Sequence, residues 1–339
     1  MRVTLKTLAD EAGVSITTVS RALAGYDDVN EETRRRIIEL AERLGYQPNL
    51  AARHLRSKQT NTIGMVIPRT AQFSDPFYME LLSSVGRQAS ELGYDLLLSA
   101  QMPGEDELNA YQRMVAGGRV DGIVVARVRQ HDERITYLQD SRHPFVAFGR
   151  AESAEQHPYI DVDGADGMFQ LVEHLVDYGH ERIAIVTSPK ELAFTHERCG
   201  GFRNALEHFG LPYNTDYVVQ GDLTRDSGSA AAETLLKLPT PPSAILACND
   251  LMALGVMTTI QQHGLRVGDD IAVAGFDDIP AAQSAEPPLT TIRQPINGIG
   301  YQLVDMLVQL IRNERIEHTQ VLLKPELVIR TSSGRTQQS

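Results

Sequence analysis

The sequence predicts two parts of different fold class: a small all-α helix-turn-helix head over residues 1–47, and an α/β body over 61–335 built from two doubly wound parallel-sheet lobes. Three observations carry this. The first 45 residues hold three short amphipathic helix patterns separated by caps and glycines. From Ile63 onward, apolar runs of strand length alternate with amphipathic helical stretches, the signature of parallel sheets covered by helices. A length of 339 residues is also too great for one ordinary compact core.

In chain order, Thr4 is placed to cap a helix from Leu5 to Ala12, with Leu5, Leu8, Ala9 and Ala12 on one apolar face and Gly13 as its stop. Ser15 caps a second helix from Ile16 to about Ala24, and Val14 and Val19 flank that cap as a hydrophobic staple. Two short helices joined by a glycine-containing turn make the helix-turn-helix pattern. Asn30 caps a third helix with Glu31 and Glu32 in its first turn; Ile37, Ile38, Ala41 and Leu44 are expected inward, and Gly45 ends it. Gln47-Pro48-Asn49 interrupts the chain. LAARHLRS follows, helical in composition but only two turns long, and residues 57–62 read as a linker.

In the body, strands are expected at 63–67, 95–100, 122–126, 144–148, 182–187, 243–249 and 270–276. Helices are expected at 77–92, 105–117, 166–178, 198–209, 227–237, 250–263 and 297–312. Ligands of such sheets sit beyond the carboxyl ends of the strands.

Composition narrows the function. Hydrophobic residues make up 42% and charged residues 22%, an ordinary globular balance. No apolar run approaches a membrane span, and the N-terminus lacks an apolar signal core, so a cytoplasmic protein with no membrane partner is expected. Two cysteines, Cys199 and Cys248, fit a reducing compartment, and neither a metal nor a cofactor is expected. The net charge of −12 is unevenly placed: residues 1–60 carry 10 basic and 8 acidic groups, leaving 22 basic and 36 acidic in the remainder. A basic end on an acidic body suits a head that meets phosphate. GxGxxG, GxxxxGK[ST], GxSxG and HExxH are all missing and the ten histidines are scattered, so no enzyme is expected.

Several separated motifs resemble the LacI/GalR family of bacterial regulators: LKTLADEAGVSITTVSRALAG (5–25), VNEETRRRIIELAERLGYQPNLAARHLRS (29–57), ILACNDLMALGVM (245–257), IAVAGFDDIPAA (271–282) and PPLTTIRQP (287–295). The resemblance covers nearly the whole chain. It implies that Ile16, Thr17 and Arg21 face base edges in the major groove, with Ser15, Thr18, Ser20 and Asn30 near phosphate. It makes 48–60 a hinge helix and linker, in which Ala51 and Ala52 enter the minor groove and Leu55 wedges a base step.

The body resembles type I periplasmic sugar-binding proteins, with an N-lobe at about 61–160 and 294–320, a C-lobe at about 163–290 and 322–332, and crossings near 160–163, 290–294 and 320–324. Matching positions imply that Arg198, Asn249 and Asp277 read an effector, completed by Asp75, Phe77, Tyr78, Arg150 and Phe276. Where relatives often carry an aromatic residue after Gly221-Asp222, this chain has Leu223. The expected protein is a homodimeric repressor of a carbohydrate operon, released from operator DNA by a sugar. A purine co-repressor and a protein partner are the alternatives.

Overall fold

The computed structural model describes residues 3–23, 25–46, 59–68, 75–152 and 157–334. The chain forms two compact units, Met1–Thr60 and Asn61–Ser339.

The first unit holds helices α1 (Leu5–Ala12), α2 (Ile16–Leu23) and α3 (Glu31–Arg43). Thr4 and Thr7 cap one another's backbone N–H groups, and Gly13 leaves α1 at φ 67, a left-handed conformation that favours glycine. Leu8, Val19 and Ile37, one from each helix, are fully buried, with Ala9, Ala22, Leu40 and Ala41 around them. Ile38 departs from expectation and is 40% exposed. The buried stripe runs Ile37, Leu40, Ala41, Leu44, and the next residue along lies about 100° round the helix.

The second unit contains two six-stranded sheets. The first holds β1 (Thr62–Pro68), β2 (Asp95–Gln101), β3 (Gly122–Val125), β4 (Phe145–Phe148), β5 (Tyr159–Val162) and β11 (Gln320–Leu323), in the order β11-β5-β4-β3-β1-β2, all parallel. The second holds β6 (Ile183–Thr187), β7 (Val218–Gln220), β8 (Ala244–Ala247), β9 (Ala272–Asp277), β10 (Thr290–Arg293) and β12 (Glu326–Val328), in the order β12-β10-β9-β8-β6-β7. Its edge strand β12 runs antiparallel to β10, and its other pairings are parallel. Strands β3, β6, β8 and β9 are buried at every residue, as continuous apolar runs covered by helices on both faces should be. The helices are α4 (Pro76–Glu91), α5 (Glu105–Ala116), α6 (Glu133–Asp140), α7 (Gly164–Asp177), α8 (Ala193–His208), α9 (Arg225–Leu236), α10 (Asp250–Gln262), α11 (Pro280–Ser284) and α12 (Ile296–Ile311).

Five strands, β5, β7 and β10–β12, and helices α6 and α11 were not among the elements expected from the sequence. Each spans three to five residues, apart from the eight of α6. Segments this short carry too few periodic positions to stand out.

The chain passes between the lobes three times, after Val162, Arg293 and Leu323. A fourth connection is non-covalent. Residues 128–130 run antiparallel to 191–193: Arg129 pairs with Leu192, Gln130 N–H donates to the Glu191 carbonyl at 3.1 Å, and Ala193 N–H to the Val128 carbonyl at 2.9 Å. This backbone clasp ties the loop after β3 to the start of α8.

Candidate functional site

On the head, Ser15 holds the start of α2: its Oγ accepts from the Thr18 N–H at 3.0 Å and lies 2.8 Å from Thr18 Oγ1. Val19 and Ala22 turn inward, which leaves Ile16 48% exposed and Thr17 and Arg21 on the open face beside it. Arg21 makes an ion pair with Asp28 at 2.6 Å, both side chains about half exposed, and its guanidinium lies 5.8 Å from the Tyr26 ring. Asn30 caps α3 by accepting from Glu32 N–H at 2.9 Å. Arg34 donates to the Tyr26 carbonyl at 2.6 Å and Arg36 to the Ala12 carbonyl at 2.8 Å, so two of the three consecutive arginines brace the bundle. Ala51, Ala52 and Leu55 lie outside the described residues.

In the body, the carboxyl ends of strands from both lobes converge on a cavity of about 780 Å³, its open mouth included. Asp75, Phe77 and Tyr78 line it from the first lobe; Arg198, Asn249 and Asp277 line it from the second. Asp75 caps α4 through the Phe77 N–H at 3.1 Å and faces Arg127 at 3.6 Å. Burial raises its carboxyl above the usual range. Arg198 is 7% exposed and lies between two rings, 4.7 Å from Phe194 and 3.6 Å from Phe276. One of its terminal nitrogens donates to the Cys248 carbonyl, the other sits 3.8 Å from Asp277, and its buried Nε has no hydrogen-bond partner among the described residues. The buried Tyr78 hydroxyl is likewise without a hydrogen-bond partner among the described residues. Burial drives the Asp277 carboxyl well above its ordinary value; Asp75 and Asp250 add to the rise, while Arg198 and a 2.7 Å bond from Gln294 oppose it.

Asn249 is 2% exposed and spends its amide locally, accepting from Met252 N–H at 3.0 Å and donating to the Leu223 carbonyl at 3.1 Å. It borders the cavity chiefly as the cap of α10.

Two expected residues are placed elsewhere. Phe276 is fully buried in the second-lobe core and reaches the cavity only as the platform under Arg198. Arg150 is drawn away by two carboxylates, Asp161 at 2.7 Å and Glu197 at 3.2 Å, which themselves line the cavity.

The cavity also contains residues that sequence reasoning passed over. Phe194, in the first turn of α8, gives the second lobe an aromatic face despite Leu223. Phe148, at the end of β4, stacks on Phe77 with ring centroids 6.1 Å apart and 24° between planes. Arg127, Leu223 and Asp277, all lining residues, have φ of 52°, 71° and 121°. Left-handed backbone at non-glycine residues is costly and gathers at functional sites.

Comparison with known proteins agrees with this geometry. Residues 4–49 match the family described as bacterial regulatory proteins, lacI family, and residues 172–333 match the periplasmic binding protein-like domain. The chain is 36% identical to the HTH-type transcriptional regulator AglR of Rhizobium meliloti, over 98% of this chain and 95% of that one. It is 35% identical to the HTH-type transcriptional regulator CelR of Thermobifida fusca, over 98% of each. Among solved structures, a lac repressor dimer bound to operator and the anti-inducer ONPF superposes with a TM-score of 0.88 at 29% identity, covering 99% of this chain and all of the other. These relatives are transcriptional regulators and not enzymes. Among the described residues no helix is long and apolar enough to cross a membrane. Similarity this extensive, running through both the helical head and the two-lobed body, places the chain in the lacI family of bacterial regulatory proteins.

Proposed function

We propose that this protein is a non-enzymatic, cytoplasmic repressor that binds operator DNA as a homodimer and lets go when a sugar occupies the cavity between its lobes. The buried Arg198 carries the reading. Its plane is fixed between two aromatic rings and its Nε–H has no partner among the described residues, a donor that a hydroxyl of the ligand would satisfy. Aromatic faces on both walls, Phe77 with Phe148 and Phe194, suit the C–H faces of a sugar ring. One relative, CelR, has been solved in complex with cellobiose; its structure superposes with a TM-score of 0.76 at 33% identity, over 98% of this chain and all of that one.

In this assignment residues 1–47 bind DNA, 48–60 form the hinge helix and linker, and 61–335 bind the effector. Thr17 and Arg21 approach bases, with Ile16 offering apolar contact to a thymine methyl. Arg21 exchanges its exposed Asp28 partner for a base edge or phosphate, an inexpensive exchange for a solvated ion pair. Ser15, Thr18, Ser20 and Asn30 stand near phosphate. Ala51, Ala52 and Leu55 act in the minor groove, so Leu55→Ala weakens operator binding in a gel-shift titration while effector affinity stays near normal.

The testing experiment is a thermal-shift screen of hexoses, disaccharides and purines, followed by gel shifts of promoter DNA with each stabilising compound. Stabilisation by a sugar that also frees the DNA supports the reading. Stabilisation by nucleobases alone overturns it in favour of a purine co-repressor.

A further inference from the structure

We propose that Cys199 is a site of reversible oxidation by hydroperoxides, and that Cys248 captures the oxidised sulfur in an intramolecular disulfide beside the effector cavity. The inference stands apart from the sugar reading. The chain has two cysteines, far apart in sequence, and the fold brings them together. Cys199 lies within α8 and is partly exposed; Cys248 directly follows β8 and is fully buried. Both are free thiols, and their side chains share a hydrogen bond. An accessible sulfur backed by an enclosed one is the arrangement of a pair that oxidises and then closes.

The surroundings decide which sulfur reacts first. The hydrogen bond with Cys248 holds the Cys199 thiol below its ordinary value, and the guanidiniums of Arg203 and Arg198 lower it further against the opposing effect of burial. Cys248 is driven well above the ordinary thiol range by that same bond, by burial and by the charge on Cys199. Cys199 is thus the thiolate and Cys248 keeps its proton and donates it. The thiolate is the nucleophile.

The chemistry has two steps. The Cys199 thiolate attacks one oxygen of a hydroperoxide; the O–O bond breaks, the sulfur gives up two electrons and becomes a sulfenic acid, and the departing oxygen takes a proton and leaves as water or an alcohol. Cys199 is now neutral, so the charge that helped to hold the Cys248 proton is gone, while Arg198 continues to favour the Cys248 thiolate. The Cys248 sulfur then attacks the sulfenyl sulfur; the S–O bond breaks, and hydroxide leaves with the Cys248 proton as water. Thiol reductants return both residues to the starting state, and in a reducing compartment the bridge is transient.

The position gives the bridge its significance. Arg198 precedes Cys199 and Asn249 follows Cys248, and both of these neighbours line the effector cavity. Arg198 also donates to the Cys248 carbonyl. A bond between the two sulfurs therefore ties α8 to the end of β8 immediately behind two cavity residues.

The test is treatment of the reduced full-length protein with hydrogen peroxide, followed by intact mass measurement and peptide mapping under non-reducing conditions. The proposal expects the loss of two hydrogens and one peptide pair joined through Cys199 and Cys248, both reversed by dithiothreitol. It expects Cys248→Ser to leave a sulfenic acid at Cys199 that dimedone traps, and Cys199→Ser to abolish bridge and adduct alike. The folded protein should react about ten-fold or more faster than the same chain in urea, where the thiol has its ordinary acidity. Should Cys248→Ser fail to fold, the peptide map and the rate ratio of the unaltered protein decide. Inert thiols, equal rates folded and unfolded, or disulfides formed only between molecules overturn the proposal.

Discussion

Arg198 shows how burial and recognition are reconciled in one side chain. A guanidinium 7% exposed needs compensation, and it receives it from two ring faces, one carbonyl and the nearby Asp277. Lysine keeps the charge but has neither the flat face nor the Nε donor. Arg198→Lys is expected to weaken sugar binding at least ten-fold by isothermal titration, with operator binding in the absence of sugar retained. Asp250 supplies a second residue-level test. Its fully buried carboxylate accepts from Ile279 N–H at 2.9 Å and the Thr291 hydroxyl at 2.5 Å, and burial, with Asp278 nearby, pushes it up to about 7. The folded state thus holds a proton that the unfolded chain releases near pH 4. Stability from this group is complete below that pH and declines as pH rises to about 7. The melting temperature of the native protein relative to Asp250→Asn should therefore fall across that window; Asp75, Asp161 and Asp277 shift the same way in both proteins and cancel from the comparison. Asp277 could be read in the sequence because it ends β9 inside a recognisable motif, and Arg198 because the resemblance implied it, although it lies within α8 and not at a strand end. Phe194 could not: it occupies an ordinary helical position, and only the packing of α8 against the cavity gives it a role.

Among the elements, α9 and α10 illustrate what a pattern of apolar residues leaves out. A Cβ at Gly228 would lie 2.1 Å from the Met252 carbonyl oxygen, and one at Gly255 would lie 2.0 Å from that of Arg225. The two helices therefore meet backbone to backbone through reciprocal glycines. Gly228→Ala is expected to cost several kcal/mol of stability, seen as a large fall in melting temperature, since the obstructing atoms are main chain and cannot step aside. At the head, Ser15→Ala removes a cap from α2 and should lower stability by about 1 kcal/mol in chemical denaturation. The long buried strands were legible because seven apolar runs of β-branched residues have few other uses. Three of the four edge strands, β7, β11 and β12, were not. Strand β11 alternates between exposed and half-buried positions and has a burial pattern close to that of a loop. Ile38 misled for a related reason: apolar character indicates burial only when the helix phase agrees.

Across the whole molecule, charge is segregated, with a slightly basic first 60 residues and a remainder 14 charges negative. An acidic body is repelled by the duplex, so binding rests on a few contacts from the head. Operator affinity should fall steeply and log-linearly with salt, as gel shifts between 50 and 200 mM would read. The two-lobed plan was visible in the alternation of strand and helix, whereas the contact between the loop after β3 and the start of α8 was invisible, since it is made by main-chain atoms with no residue preference. That fastening has a temporal consequence. Parting the lobes at residues 128–130 and 191–193 breaks main-chain bonds, each worth about 1 kcal/mol, so that opening is slowed. Ala193 is the first residue of its helix, where proline is tolerated, and Ala193→Pro would remove one of those bonds and hasten ligand departure in stopped-flow displacement. An effector whose exit needs that opening is held longer than it would be by lobes without the contact.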